Sequence, residues 1–278
     1  MLRYTVTTPV GGGGQTVLTA NLAAAHAQRD RDVLVIDLDY RATGVSYFLG
    51  VFENPEDRSE TLAGHLLGEA ETQPEELIRT PEDGLDVLSA HTALYHWDRR
   101  VERQTREEGA ESYRQFSQWF AESGLQQQYD TVLIDASMWD IGASGNAMEA
   151  TQSLVVPMPS SPRSRPGLVD LKSHILGYED TMETTFGPVI LAPTFVGHTS
   201  LDQKYRDKIH SAGYEVPVEL RDRPTLYTEL WEHNCSVFEY AEEHHTSGVG
   251  PIEGTLERLD TLAAFLEENV GREHRVTA

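Results

Sequence analysis

Residues 5–39 read TVTTPVGGGGQTVLTANLAAAHAQRDRDVLVIDLD, and the reading of this stretch decides the fold. A β-prone run leads into four glycines, Gly11 to Gly14. Thr16 to Gln28 then place Leu18, Leu22 and Ala25 on one helical face, and DVLVIDLD reads as a second strand. Between a strand and a helix, glycines let successive backbone N–H groups converge on a phosphate, while the helix N-terminus adds partial positive charge. In the phosphate-loop pattern Gly-x-x-x-x-Gly-Lys-Ser/Thr, the lysine neutralises the β and γ phosphates and the hydroxyl holds magnesium. Here Gly14-Gln15-Thr16 stands where Gly-Lys-Thr is expected, and Pro9 takes the first glycine position. The backbone cradle and the hydroxyl are present, but the charge is missing. A glycine run alone equally fits a flexible strand-to-helix turn.

Outward from this stretch, apolar runs bounded by turn residues alternate with helix-period segments. ETLAGHLLG and PEELIRT read as short helices, GLDVLSA as a third strand, and Arg99 to Glu111 as an exposed helix or loop. YDTVLIDAS, SLVVPMPS and GPVILAPTF are continuous apolar strands, and Gly254 to Val270 is a closing helix. Continuous rather than alternating apolar strands belong to a sheet covered on both faces. The expectation is an α/β fold, a doubly wound and mostly parallel sheet flanked by helices, in a single domain over residues 1–278. No repeat, low-complexity tract or composition shift marks a second domain.

Charge is the outlier. The 278 residues hold 45 acidic and 22 basic side chains, a formal net of -23. Such a field disfavours non-specific attachment to nucleic acid or to an anionic membrane. Only Lys172, Lys204 and Lys208 are lysines. Acid-rich, lysine-poor compositions resemble those of proteins from salt-loving cells, where repulsion is screened over about 3 Å at 1 M salt. Cys235 is the single cysteine, which suits a reducing cytoplasm. No segment has the length and apolarity of a membrane span, and the N-terminus does not read as a signal peptide.

Five ordered blocks together resemble the ParA/MinD group of deviant Walker ATPases, closest to ParA-type partition proteins. VGGGGQTVLTANLAAAHA aligns without a gap with the family's KGGxGK loop and its NLAAALA-type helix. Asp37, Leu38 and Asp39 match the start of DxDPQxN, and GLDVLSAHTALYHWDRRVE is similar to GLDLIPSxxxLxxxE. YDTVLIDAS is similar to the Walker B YDYIIIDTPP, and the segments around LAPTFVGHTS and VPVELRDRPTLYTELWEHNCSVFEYA look like the late strand and adenine-side loop. The resemblance implies a P-loop NTPase fold with the degenerate Walker A and switch region in 1–50, Walker B in 129–139, and the late strand, adenine-side loop and C-terminal helices in 188–270.

Roles then follow position by position. Gly11, Gly12, Gly13, Gly14, Gln15, Thr16 and Val17 fall on the nucleotide loop, and Pro193 and Thr194 on the adenine side. Asp39 falls on the aspartate that positions the attacking water. Asp135 falls on the Walker B carboxylate, and Thr16 with Asp135 would hold Mg²⁺. Asp37, Asp39 and Asp135 also fit the plainer role of strand-end helix caps. Val10 falls on the signature lysine that reaches the partner's nucleotide across the dimer, and Gln15 on the P-loop lysine; no lysine occurs before Lys172. Each charge-assisted hydrogen bond to phosphate contributes about 1.5–3 kcal/mol, so two losses imply roughly 10² to 10⁴ in affinity or rate. Catalysis suffers most, because those lysines act on charge developing in the transition state. Arg41, just past Asp39, is a candidate substitute cation.

The resemblance therefore implies a ParA-like protein for DNA partition or intracellular positioning, with weak or absent binding and hydrolysis of ATP or ADP with Mg²⁺. It would act as a homodimer, or as a heterodimer with another ParA-family chain, with a ParB-like partner. The alternative is an active, nucleotide-switched ParA-type ATPase that binds DNA non-specifically. Residues 160–223 hold 8 basic and 9 acidic residues, a locally mild balance, and there Lys204, Arg206, Lys208, Arg221 and Arg223 are the DNA candidates. A merely less acidic surface is the plainer reading. TLERLDTLAAFLEENV sets Leu256, Leu259, Leu262 and Leu266 on one face amid acids, which opposes a membrane and favours packing on the chain's own core. His244-His245 and the pair His91 and His96 lack closed zinc spacing. Trp139 replaces the proline-rich turn after Walker B and is expected in the core, with the edge of the nucleotide pocket as the other place for it.

Overall fold

The computed structural model describes residues 1–41, 43–53, 55–81, 84–244 and 250–270. Its strands are β1 (Leu2–Val6), β2 (Val33–Asp37), β3 (Ile78–Arg79), β4 (Asp86–Leu88), β5 (Thr131–Asp135), β6 (Leu154–Pro159) and β7 (Val189–Thr194). They form one seven-stranded sheet in the order β3-β4-β2-β5-β1-β6-β7. Every pairing is parallel except β3 with β4. The helices are α1 (Gln15–Ala27), α2 (Val45–Phe48), α3 (Leu62–Leu67), α4 (Leu94–Glu108), α5 (Gln115–Glu122), α6 (Ile141–Thr151), α7 (Ser164–Met182), α8 (Ser200–His210), α9 (Pro224–His233), α10 (Val237–Glu239) and α11 (Glu253–Asn269).

The continuous apolar strands are explained by burial on both faces. Along β2, Val33 and Val35 pack toward α1 and α11, while Leu34 and Ile36 join the opposite cluster with Trp97, Phe116 and Ala143. In β6, Val155 faces the first cluster, while Leu154, Val156 and Met158 face a third one with Leu171 of α7 and Ile209 of α8. The doubly wound sheet is thus as the apolar runs foretold. One local reading changes, and one open reading is resolved. PEELIRT is helical only over Pro74–Leu77, after which Ile78–Arg79 runs antiparallel to β4 at the sheet edge. The stretch from Arg99 to Glu111 lies mostly in α4, whose inner face buries Trp97 and Val101.

The last helix packs on α1, as its leucine face predicts: Leu259, Leu262 and Leu266 are buried. A polar knot ties the two together. Fully buried His26 meets the Tyr4 hydroxyl at 3.0 Å and Glu267 at 3.0 Å, and Glu267 also accepts from Arg29 (3.1 Å) and Arg31 (3.2 Å). Burial lowers His26, which stays neutral, so its Nδ1–H donates to Glu267 and its Nε2 accepts from Tyr4. Burial would raise Glu267, but hydrogen bonds from His26, Arg31 and Arg29 outweigh it and pull the carboxyl to about 2. A depressed carboxyl adds stability that is present above its unfolded value and lost as pH falls through the folded one. Thermal melts of Glu267→Gln should therefore show a loss of about 1–3 kcal/mol at neutral pH. The gap to the natural chain should close as pH falls from 4.5 toward 2.

Candidate nucleotide site

β1, β2 and β5 end side by side, which brings the loop after β1 together with Asp37 and Asp135, neighbours in register. The loop closes on α1 with Gly12 at φ 70° and Gly14 at φ 94°, conformations that only glycine adopts freely. A Cβ at Gly13 would come within 2.8 Å of the Val10 carbonyl oxygen. Positive φ at Gly12 and Gly14 and close backbone approach at Gly13, not mere flexibility, thus account for these three glycines.

Gln15 lies beneath the loop. Its Nε2 donates to Asp135 Oδ1 at 2.5 Å, and its Oε1 accepts from the Thr8 amide at 3.1 Å. The side chain thus bridges the end of β1 to the end of β5, without charge. Asp135 Oδ2 accepts from the Val45 amide at 3.2 Å. Asp37 accepts from the Ser46 amide (2.8 Å), the Ser46 hydroxyl (2.7 Å) and the Asp39 amide (2.9 Å), which pins the chain after β2. Both carboxyls are fully buried, and among the described residues no cationic side chain bonds either. Burial raises Asp37 to about 7; burial and then the charge of Asp37 raise Asp135 well above the ordinary carboxylate range. Two such neighbours cannot both ionise cheaply, so the pair retains a proton near neutrality.

Arg41 is already engaged. Its guanidinium spans Asp140 (2.6 and 2.8 Å) and Asp39 (3.0 Å), with Tyr40 donating to Asp140 at 3.2 Å. It balances the acids beside the loop, at the edge of the same cavity. A cation does reach the loop from elsewhere: Arg163, just before α7, donates to the Gly11 carbonyl. Sequence reading missed this role; the only signal was an arginine in the loop after the carboxyl end of β6, where doubly wound sheets gather ligand groups. Val10 is buried in the third cluster, against Gly167 and Met158. Its side chain faces its own core.

Above the loop lies a cavity of about 620 Å³, lined by Gly11 to Val17, Asp39, Arg41, Thr43, Ser137, Trp139, Thr194, Phe195 and the apolar faces of α9 and α11. Thr194 donates to the Gly13 carbonyl at 2.8 Å, whereas Pro193 lies within β7 outside the lining. The Thr16 hydroxyl donates to the Thr43 carbonyl at 3.3 Å. Asp135 lies below the lining, covered by Gln15. The expectation that Trp139 is a core residue is corrected: it is 59% exposed at the cavity edge, because the chain turns outward between Asp135 and α6. The amide cradle, the α1 N-terminus and the mainly apolar cavity fit a nucleotide. The phosphate end lacks an ammonium.

The other candidates scatter. Arg206 is tied to Glu219 at 2.7 Å, Arg221 lies 3.3 Å from His198, Arg223 reaches Thr255 at 3.4 Å, and Lys204 lies over the Tyr205 ring. Lys208, in the last turn of α8, has no ion pair among the described residues. Buried His91 bonds the Pro55 carbonyl and the Ala93 amide, a structural role. His245 lies outside the described residues, while His244 has a ring nitrogen within 4.8 Å of carboxylate oxygens of Glu239 and Glu243.

The glycine loop entering α1, with carboxylates at neighbouring strand ends of this sheet, defines a P-loop NTPase fold. Residues 4–186 match the model of the AAA domain family AAA_31, and the chain belongs to that family. An uncharacterized ATP-binding protein of Methanocaldococcus jannaschii is 29% identical over 84 residues, a match spanning 30% of this chain and 30% of that protein. Among solved structures, an ATP complex of a Cyanothece McdA variant superposes with a TM-score of 0.74 at 14% identity, covering 96% of both chains. A putative plasmid partition protein of Borrelia burgdorferi B31 bound to AMPPNP gives 0.71 at 15% identity, over 96% of this chain and 99% of that one. The cell division ATPase MinD of Pyrococcus furiosus gives 0.64 at 20% identity, over 95% and 98%.

Proposed function

We propose that the chain is a ParA-like positioning protein that holds nucleotide loosely through its glycine loop and hydrolyses it poorly, acting through dimerisation and protein partners. The observation that carries this reading is Gln15: a neutral amide, committed to Thr8 and Asp135, occupies the position of the phosphate-neutralising lysine. The chain as proposed is one cytoplasmic domain over residues 1–278, a homodimer or a heterodimer with a related ATPase, working with a ParB-like protein. No helix among the described residues is long and apolar enough to cross a membrane. Lys204, Lys208, Arg221 and Arg223 are the proposed DNA contacts; Arg206, paired with Glu219, contributes less. Thr16 and Asp135 are the proposed Mg²⁺ groups, Asp39 the water-positioning carboxylate, and Thr194 the adenine-side contact. The McdA and Borrelia structures carry ATP and AMPPNP at comparable folds, which supports nucleotide as the ligand.

Mg-ATP titration calorimetry in concentrated KCl, beside steady-state phosphate release, tests this. Weak binding with negligible turnover is the expected result; turnover comparable to lysine-bearing relatives would sink the reading. Arg163 favours a second reading, in which the nucleotide switch survives. Its guanidinium already touches the loop. Under that reading, Arg163→Ala should weaken Mg-ATP binding roughly 10-fold, the effect of one charge-assisted bond, without lowering the melting temperature. Unchanged affinity would remove Arg163 from the site.

A further inference from the structure

A second groove, about 460 Å³, lies between α4 and the chain around the end of α3, away from the glycine loop. Arg58, Arg99, Arg100 and Arg103 line it. In a chain with 45 acidic and only 22 basic residues, four guanidiniums on one groove run against the composition.

The arrangement is partly fixed. Arg58 forms a two-point pair with Glu69 (2.5 and 3.1 Å). Arg100 donates to the Leu67 carbonyl at 3.2 Å, so one wall holds the other. Arg99 and Arg106 share Glu102, while Arg103 has no ion pair among the described residues. Among the groups lining the groove or paired to its lining residues, four arginines face two carboxylates, Glu69 and Glu102, leaving a net of +2. Asp98 points the other way, accepting from the Ala143 amide at 2.9 Å.

Helical spacing sets His96, Arg99, Arg100 and Arg103 on one face. From Arg99 to Arg103 the helix rises about 6 Å, near the roughly 7 Å between the outer two of three phosphates at about 3.4 Å axial spacing. Guanidinium forks match phosphate oxygens two at a time, with more geometric selectivity than ammonium groups. At the rim, exposed Tyr95 packs edge-on against Tyr40 with ring centroids 5.4 Å apart, next to the Arg41 clamp.

We propose that this groove is an oligophosphate-binding site, taking two or three linked phosphate groups. The phosphates could belong to a free phosphate chain or to a nucleic-acid backbone, which share this chemistry. The inference is independent of nucleotide binding at the glycine loop.

The test uses the full chain at the lowest KCl concentration that keeps it folded by circular dichroism. The probes are tripolyphosphate, a labelled oligothymidylate and a polyaspartate peptide, against the natural protein and the Arg100→Gln, Arg103→Gln double variant. Both substituted side chains are exposed, so folding should persist. Tripolyphosphate should slow hydrogen exchange over residues 95–106, and the double variant should bind it roughly 10²-fold more weakly. Arg103→Lys should retain part of that affinity. Oligothymidylate affinity lost in the same variant assigns the phosphates to nucleic acid; failure of the oligonucleotide beside tripolyphosphate binding assigns them to a free chain. The proposal is overturned by equal tripolyphosphate affinity in both proteins, by protection confined to residues 8–18, or by polyaspartate binding the groove as tightly.

Discussion

Gln15→Lys should raise Mg-ATP affinity roughly 10- to 100-fold, the effect of one charge-assisted bond restored to phosphate. The substitution places an ammonium where the amide now bridges Thr8 and Asp135. That ammonium would meet two needs at once. It would neutralise phosphate on the loop side and supply the cation that the buried carboxyls below now lack. Phosphate release should rise as well, because a preorganised charge acts most strongly on charge developing in the transition state. Titration calorimetry of both proteins in concentrated KCl reads the result. If affinity does not rise, the loop does not receive phosphate in the P-loop manner.

A second large effect is the pH dependence of stability. Asp37 is raised to about 7 by burial, and Asp135 is raised beside it. Between the unfolded value near 3.8 and the folded value, the native state binds more protons than the unfolded chain. Stability therefore falls as pH rises through this window, the reverse of the Glu267 contribution at more acidic pH. The shift of about three units at Asp37 sets the scale at roughly 4 kcal/mol. Melting temperature should decline from pH 5 to pH 7.5 at constant salt, and Gln15→Lys should flatten that decline. A melting temperature that rises over this interval would mean that both carboxyls are ionised in the folded chain.

The sheet was legible because five strands are apolar runs whose alternate residues serve clusters on opposite faces. Of the edge pair, Asp86–Leu88 was read from GLDVLSA, but Ile78–Arg79 was not: two residues are too short for periodicity, and PEEL gives its neighbours a helical signal. The glycine loop and the strand-end carboxylates could be read from spacing. Their wiring could not, since Gln15 meets Asp135 across 120 residues and Arg163 meets Gly11 across 152. Trp139 misled because its chemistry favours burial, whereas the turn before α6 directs it outward. The arginines of α4 looked like an ordinary charged face until Arg58 and the Leu67 carbonyl closed the other side of the groove.

Val10 has a consequence for timing. In the ParA/MinD group that this chain resembles, the lysine at that position makes each copy's nucleotide part of the other copy's surface, so that loading and pairing rise together. Here the side chain is folded into its own core. In the proposed dimer, two copies, or a copy and a related ATPase, would then meet without inspecting each other's nucleotide through this position. Occupancy would follow nucleotide concentration as a simple hyperbola, with a midpoint independent of protein concentration, and pairing would be timed by the partner.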